Sequence, residues 1–190
     1  DPIANSGFVP SLLTWYDAGG RVVKTDGSQL AKLFYDRLGR RTHLFVLAKD
    51  NDTAYADADD VSGDIVLEEY QTTYESPKND VIMEAVLARN YDDYGTGETT
   101  GALDTNADSD RLKYTATNLK GRIQITAWWL VRFGRITDAV AYGTYGGSDF
   151  NPAGLSVPGR SDAALRSTYT YNTDGTTQKI EDPKSIFTSF

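Results

Sequence analysis

Cysteine is absent from this 190-residue sequence, and histidine and methionine occur once each. Without cysteine the chain forms no disulfide, and one imidazole cannot build a transition-metal site. The single histidine, His43, lies in the apolar run from Thr42 to Ala48, which favours a packed side chain over a catalytic base. The sequence also has no Gly-x-Ser-x-Gly nucleophile turn. These absences predict a protein that is not an enzyme and that needs no cofactor.

Basic residues are few. The chain has 19 Lys and Arg against 27 Asp and Glu, which gives a formal net charge of −8 and a pI near 4.6. A nucleic-acid partner would demand a basic face, so this balance argues against one. No apolar run approaches the roughly 20 residues that a membrane-spanning helix requires, and we therefore predict no membrane span.

What the sequence does contain is an internal repeat. The stretch Trp15–Arg21, Trp-Tyr-Asp-Ala-Gly-Gly-Arg, returns almost position for position as Phe34–Arg40. A third copy, Trp129–Arg135, keeps the leading aromatic residue and the closing Gly-Arg but has lost the Tyr-Asp pair. Weaker echoes begin at Tyr74, Thr117 and Tyr171. A repeat of this kind must be recognised first because it determines the whole fold.

Each copy has the chemistry of a β-hairpin. An aromatic pair ends one strand, Asp or Asn takes the corner, Gly supplies the positive φ of a tight reversal, and Arg opens the returning strand. A single hairpin is marginal in water, so the copies must lie side by side. These residues are predicted to carry the fold rather than catalysis: Tyr16, Asp17, Gly20, Arg21, Tyr35, Asp36, Gly39, Arg40, Gly121, Arg122, Gly134 and Arg135.

The pattern Tyr-Asp-x-x-Gly-Arg resembles the RHS or YD-repeat family, large secreted bacterial proteins whose hairpins roll into a hollow shell. The resemblance covers the chain from about Leu13 to Lys184 and implies an all-β, curled strip of antiparallel hairpins. It also implies an extracellular or cell-surface location and a chain that is a processed or excised piece of something longer. Two positions depart from the pattern: Leu130-Val131 replaces Tyr-Asp, and Thr176 stands where Arg is expected.

The predicted organisation has three parts. Residues 1–12 form an extended lead-in, residues 13–184 form the repeat domain with insertions at 50–64 and 92–111, and residues 185–190 form a strand-like tail. Ile65–Tyr74 is predicted as a long strand, and Val81–Arg89 as a strand despite its helical propensity. The insertion from Asp50 to Asp60 is interpreted as a solvated acidic loop. The tail has no obvious strand partner inside the chain.

Three ligand or chemical sites are weaker interpretations. Asp104, Asn106, Asp108 and Asp110 alternate like calcium ligands, but the glycine and the final glutamate of an EF-hand loop are missing. Trp128 and Trp129 could stack on sugar rings, although cross-strand packing explains aromatic residues in a repeat better. Asn151–Leu155 is similar to the Asp-Pro-x-Gly-Leu of self-cleaving RHS cores, with Asn151 in place of the acid.

Assembly is the function that the pattern favours. A short strip of hairpins has two open edges, and natural sheets close, cover or use such edges. We therefore expect a structural subunit of an extracellular filament or of a shell, a homo-oligomer or polymer built by strand addition between copies. A surface adhesion or carbohydrate-binding module is the alternative, and a self-cleaving segment is a remote one.

Overall fold

The computed structural model describes residues 12–75, 78–89, 100–103, 121–143 and 156–190. Within these ranges the chain is all-β, and eleven strands form one antiparallel sheet. In chain order the strands are β1 (Leu13–Tyr16), β2 (Val22–Asp26), β3 (Leu30–Tyr35), β4 (Arg41–Lys49), β5 (Ile65–Tyr74), β6 (Val81–Arg89), β7 (Gly121–Val131), β8 (Arg135–Gly143), β9 (Leu165–Tyr171), β10 (Thr177–Glu181) and β11 (Phe187–Ser189).

Strand order in the sheet is the order in the chain. Successive connections therefore alternate between the two ends of the strands. The connections β1–β2, β3–β4, β5–β6, β7–β8 and β9–β10 lie at one end, which we call the turn rim. The described parts of the remaining connections, including the segment 50–64, lie at the opposite end, which we call the insertion rim. The predicted succession of hairpins is confirmed.

One face of the sheet carries the core. Directly paired residues share a face, and the register runs from Lys32 to Phe45, then to Glu69 and Leu87. All four side chains on this row are buried. Connections of the insertion rim supply part of the apolar cluster against this covered face. Its buried members are Phe45, Leu47, Val61, Val66, Met83, Ala85, Leu87, Leu103 and Ile125.

The predicted strands at Ile65–Tyr74 and Val81–Arg89 are confirmed as β5 and β6. Long-range pairing overrides helical propensity in β6 because its alternate residues Met83, Ala85 and Leu87 fill the core.

The expectation that the C-terminal tail lacks a partner in the chain was wrong, because β11 pairs with β10. The turn that returns it is built by Asp182, whose Oδ1 accepts the amides of Lys184 and Ile186 at 2.8 and 2.9 Å. Ser185 takes the positive-φ position, at 64°. This turn was missed because no glycine marks it.

The β7–β8 turn is strained. Phe133 has φ 71° and Gly134 has φ 69°, and two successive positive-φ residues are the signature of a type I′ hairpin turn. Asn or Gly normally occupies the first of these positions, since a bulky side chain clashes with its own backbone there. Packing of the Phe133 side chain does not offset this strain, because the residue is 90% exposed.

The substitution Phe133→Asn should raise the free energy of unfolding by about 1 kcal/mol, because Asn tolerates the left-handed region. Urea denaturation followed by tryptophan fluorescence measures the change. Leu38→Asn is the matched control, an exposed apolar turn residue without positive φ. It should change stability by less than about 0.5 kcal/mol. Equal effects of the two substitutions would contradict strain at Phe133.

Candidate functional site

The two clean repeats fold into the same turn. In the first, the Gly20 amide donates to the Asp17 carbonyl at 3.0 Å and the Asp17 amide donates to the Arg21 carbonyl at 2.9 Å. In the second, Gly39 and Asp36 make the equivalent bonds, both at 2.9 Å. Gly20 and Gly39 have φ of 76° and 81°. This is a type I turn followed by a left-handed residue, a standard three-residue hairpin loop.

The aspartate of each turn binds its own arginine. Asp17 Oδ1 accepts the amides of Gly19 and Arg21, both at 2.9 Å, while Oδ2 lies 2.6 Å from both Nε and Nη2 of Arg21. Asp36 repeats the arrangement with Arg40, whose Nε donates to Oδ2 at 2.7 Å. The amide and guanidinium of Arg21 hold the pKa of the Asp17 carboxyl below its ordinary value of 3.8.

Each arginine also contacts the tyrosine of the next unit along the turn rim. The guanidinium carbon of Arg21 lies 4.8 Å from the ring centre of Tyr35, and that of Arg40 lies 4.5 Å from the ring of Tyr74. Arg135 and Tyr171 form a third pair at 5.4 Å. We call these contacts the turn ladder. Each is a cation–π interaction worth about 0.5–1 kcal/mol at an exposed site.

The tyrosine hydroxyls form hydrogen bonds between the same pairs of neighbouring units. Tyr35 donates to the carbonyl of Val22 at 2.8 Å, and Tyr74 donates to that of Arg41 at 3.1 Å. Tyr171 donates to Ile136 at 2.7 Å. In every case the acceptor is the residue that follows the ladder arginine. The Tyr of the repeat therefore joins its own unit to the preceding one.

The repeat glycine is required twice. Besides its positive φ, it leaves room for the arginine of the preceding unit. A Cβ at Gly39 would lie 3.2 Å from Arg21 Nη1, and a Cβ at Gly175 would lie 2.8 Å from Arg135 Nη1. The four motif residue types thus form one set of contacts. Asp binds Arg inside a turn, and Arg contacts the Tyr and Gly of the next turn.

Where the ladder is broken, both partners are lost together. Asp80 takes the arginine position of the β5–β6 turn, since its carbonyl accepts the amide of Glu75 at 2.8 Å. The facing unit on β7 has Leu130 where tyrosine would stand, since Leu130 pairs with Ile136 as Tyr35 pairs with Arg41. The carboxylate of Asp80 takes the arginine's place beside Gly134, whose added Cβ would lie 3.0 Å from Asp80 Oδ1.

Two predicted repeat residues lie outside the ladder. Gly121 and Arg122 open strand β7 and pair with Arg89 and Ala88 of β6, at the insertion rim. The spacing of the motif cannot show at which rim a turn lies. A turn after an odd-numbered strand and a turn after an even-numbered strand can have the same local sequence.

A second group of polar residues lies under the 50–64 insertion. Lys24 on β2 and Lys32 on β3 are direct cross-strand partners, and both are buried. Like charges directly opposite each other destabilise a sheet unless they are compensated. Asp52 provides compensation by bridging them, with Oδ2 2.8 Å from Lys24 Nζ and Oδ1 2.6 Å from Lys32 Nζ. Asp50 pairs with Lys24 as well.

Lys32 is fully enclosed by oxygen atoms. Its three ammonium protons go to Asp52 Oδ1 and to the carbonyls of Asp57 and Asp60, at 3.1 and 2.5 Å for the carbonyls. Asp64 Oδ2 lies 2.7 Å away and forms an ion pair with the same ammonium group. Its other oxygen accepts the amide of Asn51 at 3.0 Å. We call Lys24, Lys32, Asp50, Asp52 and Asp64 the lysine cluster.

The lysine cluster corrects the interpretation of Asp50–Asp60 as a solvated acidic loop. The segment folds over the sheet, forms a 3-10 helix at Tyr55–Asp59 and neutralises two buried lysines. Desolvation on its own lowers the pKa of Lys24, and the carboxylates of Asp50 and Asp52 more than offset it, so that the pKa lies above its ordinary value of 10.5. The signal in the sequence was a lysine in each of two adjacent strands beside an acidic insertion.

Two further buried carboxylates fasten other segments to the covered face. Glu69 is fully buried, and its Oε2 accepts the amide of Leu103 at 2.7 Å. Asp138 accepts Arg166 Nε at 2.8 Å, while Arg166 Nη1 donates to the carbonyl of Pro158 at 3.1 Å. Glu69 thus binds Leu103 of the insertion rim directly, whereas Asp138 binds Arg166, which in turn binds Pro158.

The remaining predicted sites are placed as follows. His43 is packed, with its ring stacked 5.6 Å from that of Phe45, as expected. Trp128 and Trp129 are successive strand residues and point to opposite faces, so they cannot form one stacking platform. The calcium candidates Asp104, Asn106, Asp108 and Asp110 and the segment 151–155 lie outside the described residues. No cluster of three or more metal-ligating side chains occurs within the described ranges.

Fold and site together define the chain as a β-hairpin repeat protein. No family model matches it, and no curated protein does. Among solved structures it is similar to a chain of the Photorhabdus luminescens Tc holotoxin pore, with a TM-score of 0.29 and 11% identity over 90% of this chain and 10% of that one. A TcdB2–TccC3 crystal structure gives a TM-score of 0.20 and 12% identity over 90% of this chain and 12% of that one.

The chain thus spans about a tenth of the length of these structural neighbours. At such TM-scores the likeness carries no argument about function. In the described part of the chain no helix has the length and apolar character needed to cross a bilayer.

The substitution Lys32→Met should lower the free energy of unfolding by about 3–5 kcal/mol, because it leaves buried carboxylates without their cation. Urea denaturation at neutral pH measures the loss. Lys179→Met is the control, since the Lys179–Glu181 pair at 3.3 Å is partly exposed and is worth less than about 1 kcal/mol. A loss at Lys32 no larger than that at Lys179 would contradict the structural role of the cluster.

The substitution Asp36→Asn should make the free energy of unfolding less dependent on pH in the acidic range. Desolvation acts to raise the pKa of Asp36, but the amide and guanidinium of Arg40 outweigh it and hold the pKa below 3.8. A carboxylate with a lowered folded-state pKa stabilises the fold above its unfolded pKa and loses that contribution as the pH falls through the folded value.

The difference in unfolding free energy between the wild type and Asp36→Asn should therefore be largest near neutral pH and should shrink below pH 3.8. Chemical denaturation at a series of pH values checks this. Asp162→Asn, at an exposed position, should show a small difference throughout. A difference for Asp36→Asn that is the same at pH 7 and pH 3 would be inconsistent with the turn bond.

Proposed function

We propose that this protein is a structural β-repeat subunit whose sheet is continued at its edges by strands of neighbouring copies. Its site of assembly is extracellular or on the cell surface, the location that the motif resemblance implies. The observation that carries the proposal is the turn ladder, because it is a device for joining one hairpin to the next. It gives a complete unit, such as Phe34–Arg40, one donor side, the arginine, and one acceptor side, the tyrosine and glycine.

The β11 edge supports strand addition. The Phe190 amide donates to Gln178 at 3.0 Å, and the Asp182 amide donates to Ile186 at 2.8 Å. By alternation along an antiparallel pair, Thr188 also faces β10, whereas the backbone groups of Phe187 and Ser189 face outward. The strand carries no charged side chain, and Phe187 is 61% exposed. Edges that must stay unpaired usually carry charge or proline.

The substitution Ser189→Pro tests assembly through this edge. It removes an outward N–H without touching the bonds to β10, so the monomer should keep its fold while strand addition is blocked. Sedimentation velocity over a concentration series, with negative-stain microscopy of the same samples, should show dimers or filaments for the wild type and monomers for the variant.

Thr173→Pro is the matched control. Thr173 is the second residue of the Asn172–Gly175 turn, where proline is favoured, and it lies at the turn rim away from the edge. This variant should assemble like the wild type. A wild-type chain that remains monomeric at every concentration, or assembly that Ser189→Pro leaves intact, would overturn the proposal.

A further inference from the structure

We propose that the outer edge of β1 is an acceptor for an arginine-led repeat strand, and that the Tyr55 hydroxyl is a latch that occupies it. The inference rests on the proposed function, because it specifies what one edge receives and which side chain of the described residues occupies it. The partner is a strand with the chemistry of β2: an arginine at its start followed by alternating apolar residues. Such a strand belongs to a further hairpin of the same repeat.

The latch is visible as two hydrogen bonds. The Tyr16 amide donates to the Tyr55 hydroxyl at 2.7 Å, and that hydroxyl donates to the Tyr16 carbonyl at 2.9 Å. The neighbouring Asp17 amide points to β2, since it bonds the Arg21 carbonyl. Tyr16 therefore presents its backbone groups to the open side of the sheet. An added strand that pairs as far as Tyr16 would need the same N–H and C=O groups that one side chain now occupies.

The position of Tyr55 depends on the lysine cluster. Tyr55 begins the 3-10 helix Tyr55–Asp59, and Lys32 Nζ binds the carbonyls of Asp57 and of Asp60, which caps that helix. The helix thus lies over β2 and β3 and reaches the edge strand beside them. The phenol is itself 60% exposed, so its hydroxyl bonds, and not its burial, hold it at the edge.

Three features of the first unit match an acceptor without its donor. The ring of Tyr16 is 48% exposed, and among the described residues no cation lies over it, whereas the rings of Tyr35, Tyr74 and Tyr171 each carry an arginine. No described atom would lie within 4 Å of a Cβ at Gly20, although a Cβ at Gly39 or Gly175 would touch the arginine of the preceding unit. The backbone of Tyr16 faces outward. The ring and the space are those that an arginine-led strand uses elsewhere in the ladder, and the outward backbone of Tyr16 is an addition specific to this edge.

The test uses a fluorescently labelled peptide of residues 19–27, which contains β2 and its arginine. Its binding to the full chain is measured by fluorescence anisotropy for the wild type, Tyr55→Phe and Tyr70→Phe. Removing the Tyr55 hydroxyl should tighten binding by roughly tenfold, because two competing hydrogen bonds are lost. Tyr70→Phe is the control: its hydroxyl binds Glu68 at 2.6 Å, away from β1, and it should match the wild type.

A second peptide separates the ladder contact from backbone pairing. The same sequence with Arg21→Ala should bind Tyr55→Phe about threefold more weakly, because the cation–π contact with Tyr16 is lost. Equal affinity of Tyr55→Phe and the wild type, or no binding to any of the chains, would refute the latch. Equal affinity of the two peptides would refute the arginine-led partner.

Failure of the latch and failure of the proposed function are distinguishable. Ser189→Pro reports on the β11 edge and involves no peptide. Peptide binding that tightens in Tyr55→Phe while the wild-type chain stays monomeric would support the latch and overturn self-assembly. Assembly that Ser189→Pro abolishes, combined with unchanged peptide affinity, would leave the proposed function standing and remove the latch.

Discussion

The arginines of the two clean repeat turns, Arg21 and Arg40, are the contacts on which this part of the strip depends, because each acts in two units at once. The aspartate of the same turn holds each arginine, and the guanidinium then covers the ring of the next tyrosine. Hairpins that are marginal alone gain a directional connection to their neighbour. Since the contacts between strands are mainly between adjacent strands, the stability of such a sheet is close to a sum over units and the interfaces between them.

The covered face imposes the second constraint. Apolar residues on one face of an eleven-stranded sheet need a layer over them, and the insertion rim supplies that layer. The layer is held by buried charged groups as much as by apolar contact: Lys32 binds the 50–64 segment, and Glu69 binds Leu103. Removing the insertion would leave two lysines in an apolar surface without a counter-charge, which would lower the free energy of unfolding. The insertion is therefore part of the fold.

The sequence predicted whatever was local and periodic. The repeat spacing located the turns, and glycine marked the positive-φ positions at Gly20 and Gly39. Partners that are remote in the chain could not be predicted this way. A lysine in a strand normally indicates an exposed face, and the carboxylate of Asp52 follows Lys24 and Lys32 by 28 and 20 residues. The Asp182 turn was missed for a different reason: its positive-φ residue is Ser185, which carries no turn signal of its own.

Strand parity decides which assemblies the two edges permit. In an antiparallel sheet of eleven strands, β1 and β11 run in the same direction. Pairing β11 of one copy with β1 of the next, with covered faces on the same side, would give a parallel pair. Pairing β11 with β11 across a two-fold axis gives an antiparallel pair and a closed dimer. An arginine-led strand received at β1 makes the strand number even and the two edges opposite in direction. Head-to-tail growth with antiparallel pairing then becomes geometrically allowed, so under the proposed assembly the occupant of the β1 edge would select between a dimer and a filament.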